Sequence, residues 1–155
     1  MVVRTSIVVV SILLLLLTGC NQAAPNVVEN TGPTPTVPAP SGDNATLSGQ
    51  VVSNSNQAPI KETVVQLAQI YRDNNTQEAV YALDLARAPG TFTDQNGFFA
   101  ITDVPPGEYA IIVGDYYGTN DVVRDGDNAQ IFKTEAGKAL NVGAIKVKPD
   151  VSPGK

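Results

Sequence analysis

The chain has 155 residues, 43% of them hydrophobic, with one cysteine and neither histidine nor tryptophan. Its formal charge is −5 and it holds no run of Lys and Arg, so the basic stripe that nucleic-acid binding needs is missing and no nucleic-acid partner is expected. The same charge argues against adhesion to anionic lipid, so any membrane attachment has to come from elsewhere.

Met1 to Cys20 reads MVVRTSIVVVSILLLLLTGC. Arg4 supplies a positive start, and Ile7 to Leu17 is apolar apart from Ser11. A spanning helix needs about 20 apolar residues, so this run is short for one and right for a secretory signal. It ends at Leu17-Thr18-Gly19-Cys20, which resembles the processing box of bacterial lipoproteins. That resemblance implies cleavage after Gly19 and a diacylglycerol on the Cys20 sulfur. A single chain anchors only marginally, so several acyl chains would be needed to hold firmly. The other reading is an ordinary signal peptide or membrane anchor with an incidental cysteine. With one cysteine, no disulfide forms within the chain. The lipoprotein reading places the protein on the extracytoplasmic face of a bacterial cell membrane, inner or outer.

Residues 20–44 read as a lipidated cysteine followed by a linker. From Asn21 to Asn44 there are five prolines and only two charged residues, Glu29 and Asp43. Neither strand nor helix periodicity appears. Pro33 to Pro40 favours polyproline II, giving a stiff tether that reaches up to ~70 Å.

Residues 45–155 are expected to form one domain, and 111 residues suffice for a real core. Thr46 to Ser53 predicts a first strand with Leu47, Gly49 and Val51 on one face. Thr63 to Tyr71 predicts a second, with Val65 and Leu67 inward and Gln66 outward. Ala79 to Leu85 reads as a returning strand, although EAVYALDLARA from Glu78 to Ala88 also suits a short helix. Ala88-Pro89-Gly90 breaks it.

Two alternating runs follow. Phe99 and Ile101 share one face of a short strand, and Tyr109, Ile111 and Val113 one face of the next. Asp94-Gln95-Asn96-Gly97 has Asp first and Gly fourth, as a type I turn prefers. Pro105-Pro106-Gly107 separates the runs, because proline donates no ladder bond. Gly114 to Asn128 is polar and reads as a loop. Ala129 to Thr134 predicts another strand. In Ala139 to Lys148, Leu140 and Val142 are out of phase with Ile145 and Val147. A bulge at Gly143 would return all four to the core. These patterns predict an all-β fold: an antiparallel Greek-key β-sandwich of seven to eight strands.

The residues Thr93, Asp94, Gly97, Phe99, Ile101, Asp103, Val104, Pro105, Pro106, Gly107 and Tyr109 carry a family resemblance. Their pattern resembles the core motif of carboxypeptidase regulatory-like domains, which are small transthyretin-like (prealbumin-like) sandwiches. Leu47 to Val52 is similar to the opening strand of that family and Val142 to Ile145 to its closing strand. The resemblance implies this fold over about Ala45 to Lys148, and an accessory rather than a catalytic role.

Little in the chain points to chemistry. Without histidine, Ser-His-Asp and Cys-His constellations are excluded, and zinc lacks nitrogen and sulfur ligands. No cofactor is expected. Paired carboxylates would suit a hydrolase, but the acidic residues sit in turns where nothing predicts a cleft. Asp121, Asp125 and Asp127, with Asn128, offer oxygen ligands of the kind calcium takes, at spacings unlike the EF-hand template. Phe98 points opposite to Phe99 and should be partly exposed. With Tyr116 and Tyr117 it is the candidate for stacking on a sugar ring or anchoring a protein.

The reading is therefore a non-enzymatic, lipid-anchored monomer. Its domain presents a structural or protein-interaction surface to a partner in the cell envelope. The alternative is a carbohydrate-binding module for envelope or extracellular glycans, and a hydrolase accessory domain comes third.

Overall fold

The computed structural model describes residues 35–114 and 120–148. The expectations placed on Leu17, Thr18, Gly19 and Cys20, on the linker before Pro35, and on Tyr116 and Tyr117 lie outside the described residues.

Two sheets carry the domain. In the first, β1 (Ala45–Ser53) lies between β5 (Phe98–Val104) and β11 (Ala139–Val147). The second has the order β10 (Ile131–Thr134), β6 (Gly107–Gly114), β2 (Val64–Arg72), β3 (Ala79–Ala82). Two short strands extend it: β4 (Gly90–Phe92) pairs with β2, and β7 (Asn120–Val122) with β6. A separate two-stranded ribbon joins β8 (Arg124–Asp125) to β9 (Asn128–Ala129). No helix occurs among the described residues, so Glu78–Ala88 resolves into strand β3 and a turn at Leu85–Arg87.

Both sheets send alternate side chains into one core. Leu47 and Val51 of β1, Phe99 and Ile101 of β5, and Ile145 and Val147 of β11 meet Val65 and Leu67 of β2 and Tyr109, Ile111 and Val113 of β6. These are the faces that the period-two patterning predicts, and the domain is a β-sandwich. Burying a Leu, Ile or Val side chain of this kind contributes about 1.5–3 kcal/mol.

Two expectations are corrected. The sandwich is not wholly antiparallel, because β1 and β11 run parallel, from Thr46 opposite Ala139 to Ser53 opposite Val147. Parallel neighbours need a long crossover, which the chain between them supplies. The described residues also form eleven strands rather than seven or eight. The additions are short pieces, mostly of two or three residues, that alternation does not reveal.

The phase slip in β11 resolves as expected. Ser48 faces Asn141 but Gln50 faces Ala144, so one extra residue is accommodated on β11 between them. Gly143 takes φ +72°, and its N–H donates to Asn141 Oδ1 at 2.8 Å. Leu140 and Val142 then pack against the same core as Ile145 and Val147.

The proline corner carries the chain from one sheet to the other, since β5 and β6 belong to different sheets. Two hydroxyls fasten it. Tyr109 donates to Pro105 O at 3.0 Å, and the Thr134 hydroxyl lies 3.0 Å from the same oxygen while accepting from Gly107 N at 3.0 Å. Burial raises the Tyr109 phenol above its ordinary pKa.

Candidate functional site

Residues pointing out of the first sheet form the floor of an open groove of about 290 Å³. Ser48 and Gln50 come from β1, Phe98 and Ala100 from β5, and Asn141 and Ala144 from β11. They are neighbours because β1 pairs with both flanking strands, Gln50 opposite Phe98 on one side and Ser48 opposite Asn141 on the other. Phe92 and Asp94 stand at one wall. Pro35, Thr36 and Val37, from the end of the proline-rich stretch, also line the groove.

Backbone contacts position these groups. Asp94 Oδ1 accepts from Asn96 N at 2.8 Å and from Phe98 N at 2.9 Å, and Gly97 N donates to Asp94 O at 3.0 Å. The turn therefore fixes where Phe98 leaves for β5. Gly97 has φ +74°, and a Cβ there would lie 2.5 Å from Val51 O, so only glycine fits. Gln50 Nε2 donates to Asn96 O at 2.8 Å, tying the turn to β1. Asp94 is the only charged side chain among the groove-lining residues. The site thus offers aromatic faces, amides and the hydroxyls of Thr36 and Ser48. That set suits stacking and hydrogen bonding to a neutral ligand better than acid–base chemistry.

The candidate residues fare differently. Phe98 is half-buried and lies in the groove, with Phe99 turned into the core. Asp121 is on β7, where its Oδ2 accepts from Lys148 N at 3.2 Å. Asp125 sits on β8 and Asp127 in the turn to β9, with Arg124 Nη1 donating to Asp127 O at 2.9 Å. Among the described residues, no three acidic, cysteine or histidine side chains gather to hold a metal ion. Sequence reasoning did not place Phe92, Gln50 and Asn141 in the site. Gln50 and Asn141 carry the outward parity of their strands as a signal, but which strands lie side by side is not local information.

No family model and no curated protein matches the chain. Among solved structures, it is similar to a proposed carbohydrate-binding protein from Pseudomonas aeruginosa, with 18% identity and a TM-score of 0.44 over 73% of this chain and 99% of that one. A DUF3823 family protein from Bacteroides uniformis is 18% identical, with a TM-score of 0.39 over 70% of this chain and 44% of that one. The pilus 2b backbone protein of group B streptococcus is 16% identical, with a TM-score of 0.37 over 70% of this chain. The chain spans only 42% of the length of that pilus protein. At these identities and scores, the likeness assigns neither a ligand nor a partner.

Proposed function

We propose that the chain is a lipid-anchored extracytoplasmic protein of the bacterial envelope. Its transthyretin-like sandwich, similar to carboxypeptidase regulatory-like domains, serves as a non-catalytic structural or protein-interaction module. The observation that carries the reading is where the polar groups lie. Among the described residues, the buried polar side chains are Ser, Thr and Tyr109, whose phenol donates to Pro105 O, and every charged side chain reaches the surface. A core of this kind holds loops and a groove in place without burying a carboxylate, an ammonium or a guanidinium. The anchor rests on Leu17-Thr18-Gly19-Cys20 after a short apolar run. Intact-mass spectrometry of the membrane-extracted protein tests it. The expected species begins at Cys20 and carries acyl chains, and Cys20→Ser abolishes both cleavage and acylation. A full-length chain with an unmodified thiol would end the anchor reading.

The groove favours a second reading, in which the module binds a neutral glycan. Phe92 and Phe98 supply faces for a sugar ring, and Ser48, Gln50 and Asn141 supply hydrogen-bonding groups around them. Titration of the full chain against purified wall polysaccharide and a panel of neutral oligosaccharides tests it. Binding is expected to weaken at least about tenfold in Phe98→Ala, and equal affinity in wild type and variant removes the groove from consideration.

A further inference from the structure

Among the described residues the second sheet ends on β3, an edge of four residues that has shortness as its protection and little else. Natural edges carry charges, prolines or bulges that discourage pairing with another chain. From Ala79 to Leu83 the sequence is AVYAL, with neither charge nor proline. All four residues of β3 are exposed. Val80 is 63% exposed and Tyr81 42%, with Tyr71 beside them at 52% and Leu85 beyond at 75%. Val80 stands beside Tyr71 on one face of the sheet and Tyr81 beside Ile70 on the other, so the rim is apolar on both faces.

The ladder also shows which backbone groups the edge presents. Asp73 N donates to Glu78 O at 2.9 Å, and Tyr71 faces Val80 while Gln69 faces Ala82. In an antiparallel pair, hydrogen-bonded and non-hydrogen-bonded positions alternate. Val80 and Ala82 therefore direct their N–H and C=O groups to β2, whereas Ala79 and Tyr81 direct theirs to the open side.

We propose that β3 is a self-association edge, at which two copies of the chain pair antiparallel about a two-fold axis through Val80. This register sets Ala79 against the second copy's Tyr81 as a hydrogen-bonded pair, and Tyr81 against Ala79 by symmetry. Both residues of each pair already present their groups outward. Val80 meets Val80 at the non-hydrogen-bonded position, where side chains approach most closely. The flanking charges do not clash, since Glu78 falls opposite Ala82 and Asp84 opposite Thr76. Any other occupant would have to supply its own complementary strand, whereas a second copy is complementary by symmetry. The strand is short, so the pair is weak in dilute solution. Confining both copies to one surface would raise their effective concentration and populate the pair.

The inference is independent of the groove. Only the surface enrichment and the silence of Cys20 in crosslinking rest on the anchor reading, which intact-mass spectrometry tests separately. The pairing is tested on the full chain in membranes. Val80→Cys places two thiols at a Cα separation of about 4.5 Å, within the range a disulfide spans. Mild oxidation is expected to give a reducible dimer that the wild-type chain, with Cys20 alone, does not give. Sedimentation of the detergent-solubilised wild type should show a concentration-dependent dimer. Val80→Lys opposes two like charges and should cut the dimer's association constant by about tenfold or more. Tyr81→Pro should act likewise, because it removes an N–H that faces the second copy while leaving the bonds to β2 in place. Matching circular dichroism spectra show that both variants remain folded. A wild type that is monomeric at every concentration with no crosslink, a dimer unchanged in both variants, or a β3-dependent complex with a different protein only would each overturn the proposal.

Discussion

The two halves of β2 behave differently although their sequences look alike. Val64–Ala68 runs between β4 and β6 with Val65 and Leu67 in the core, while Ile70–Arg72 runs beside β3 with Tyr71 half in solvent. Both halves place apolar residues on the inward face. The difference is cover: residues of β1, β5 and β11 pack over the first half, but the core does not extend to Tyr71. Alternation identifies a face of a sheet, and only the opposing sheet decides how much of that face is dry.

The sharpest test of this contrast compares Leu67→Ala with Tyr71→Ala, two truncations on the same face of one strand. Leu67 is 1% exposed, and its truncation is expected to cost about 2–5 kcal/mol in denaturant unfolding. Tyr71→Ala should change stability by no more than about 0.5 kcal/mol in the monomer. Similar losses at the two sites would mean that the core runs the length of β2.

A smaller effect probes how the covered end is sealed. The Thr93 hydroxyl donates to Ile60 O at 2.9 Å and accepts from Thr63 N at 3.0 Å, and Thr63 Oγ1 donates to Gly114 O at 2.9 Å. Thr93→Val keeps the shape but removes both hydrogen bonds of this buried hydroxyl, at an expected cost of about 1–3 kcal/mol. An unchanged unfolding midpoint would show that the seal is made by packing alone.

The smallest effect is a pH dependence at the proline corner. Burial raises the Tyr109 pKa in the folded chain, so the folded state holds this proton more tightly than the unfolded state. The associated stability is fully present below the unfolded value of about 10, and is lost as pH rises through the folded value. Thermal unfolding should therefore fall in temperature above about pH 10, and Tyr109→Phe should lessen that fall. Identical alkaline profiles in wild type and variant would place the phenol in effective contact with water.

Much of the sandwich was legible in advance. Strand boundaries near Ala45–Ser53 and Val64–Arg72, the inward residues of both, the Asp94–Gly97 turn and the Gly143 bulge all follow from local patterns. Part of the site was legible too, since Phe98 has the parity opposite to buried Phe99. Its companions were not. Asn141 stands ninety-three positions from Ser48 along the chain, and Phe92 precedes the motif on a strand of the other sheet.

By itself, then, the order of residues determined the all-β class, the side of each strand that turns inward and the places where the chain turns. Those properties depend on the two-residue period of extended backbone and on the dihedral preferences of glycine and proline, which neighbours in sequence settle. Only the tertiary structure decided that β11 runs parallel beside β1, that Phe92, Phe98 and Asn141 share one groove, and that β3 is left as an open apolar edge. Those outcomes depend on which distant strands hydrogen-bond and on where one sheet stops covering the other, and no local pattern records either.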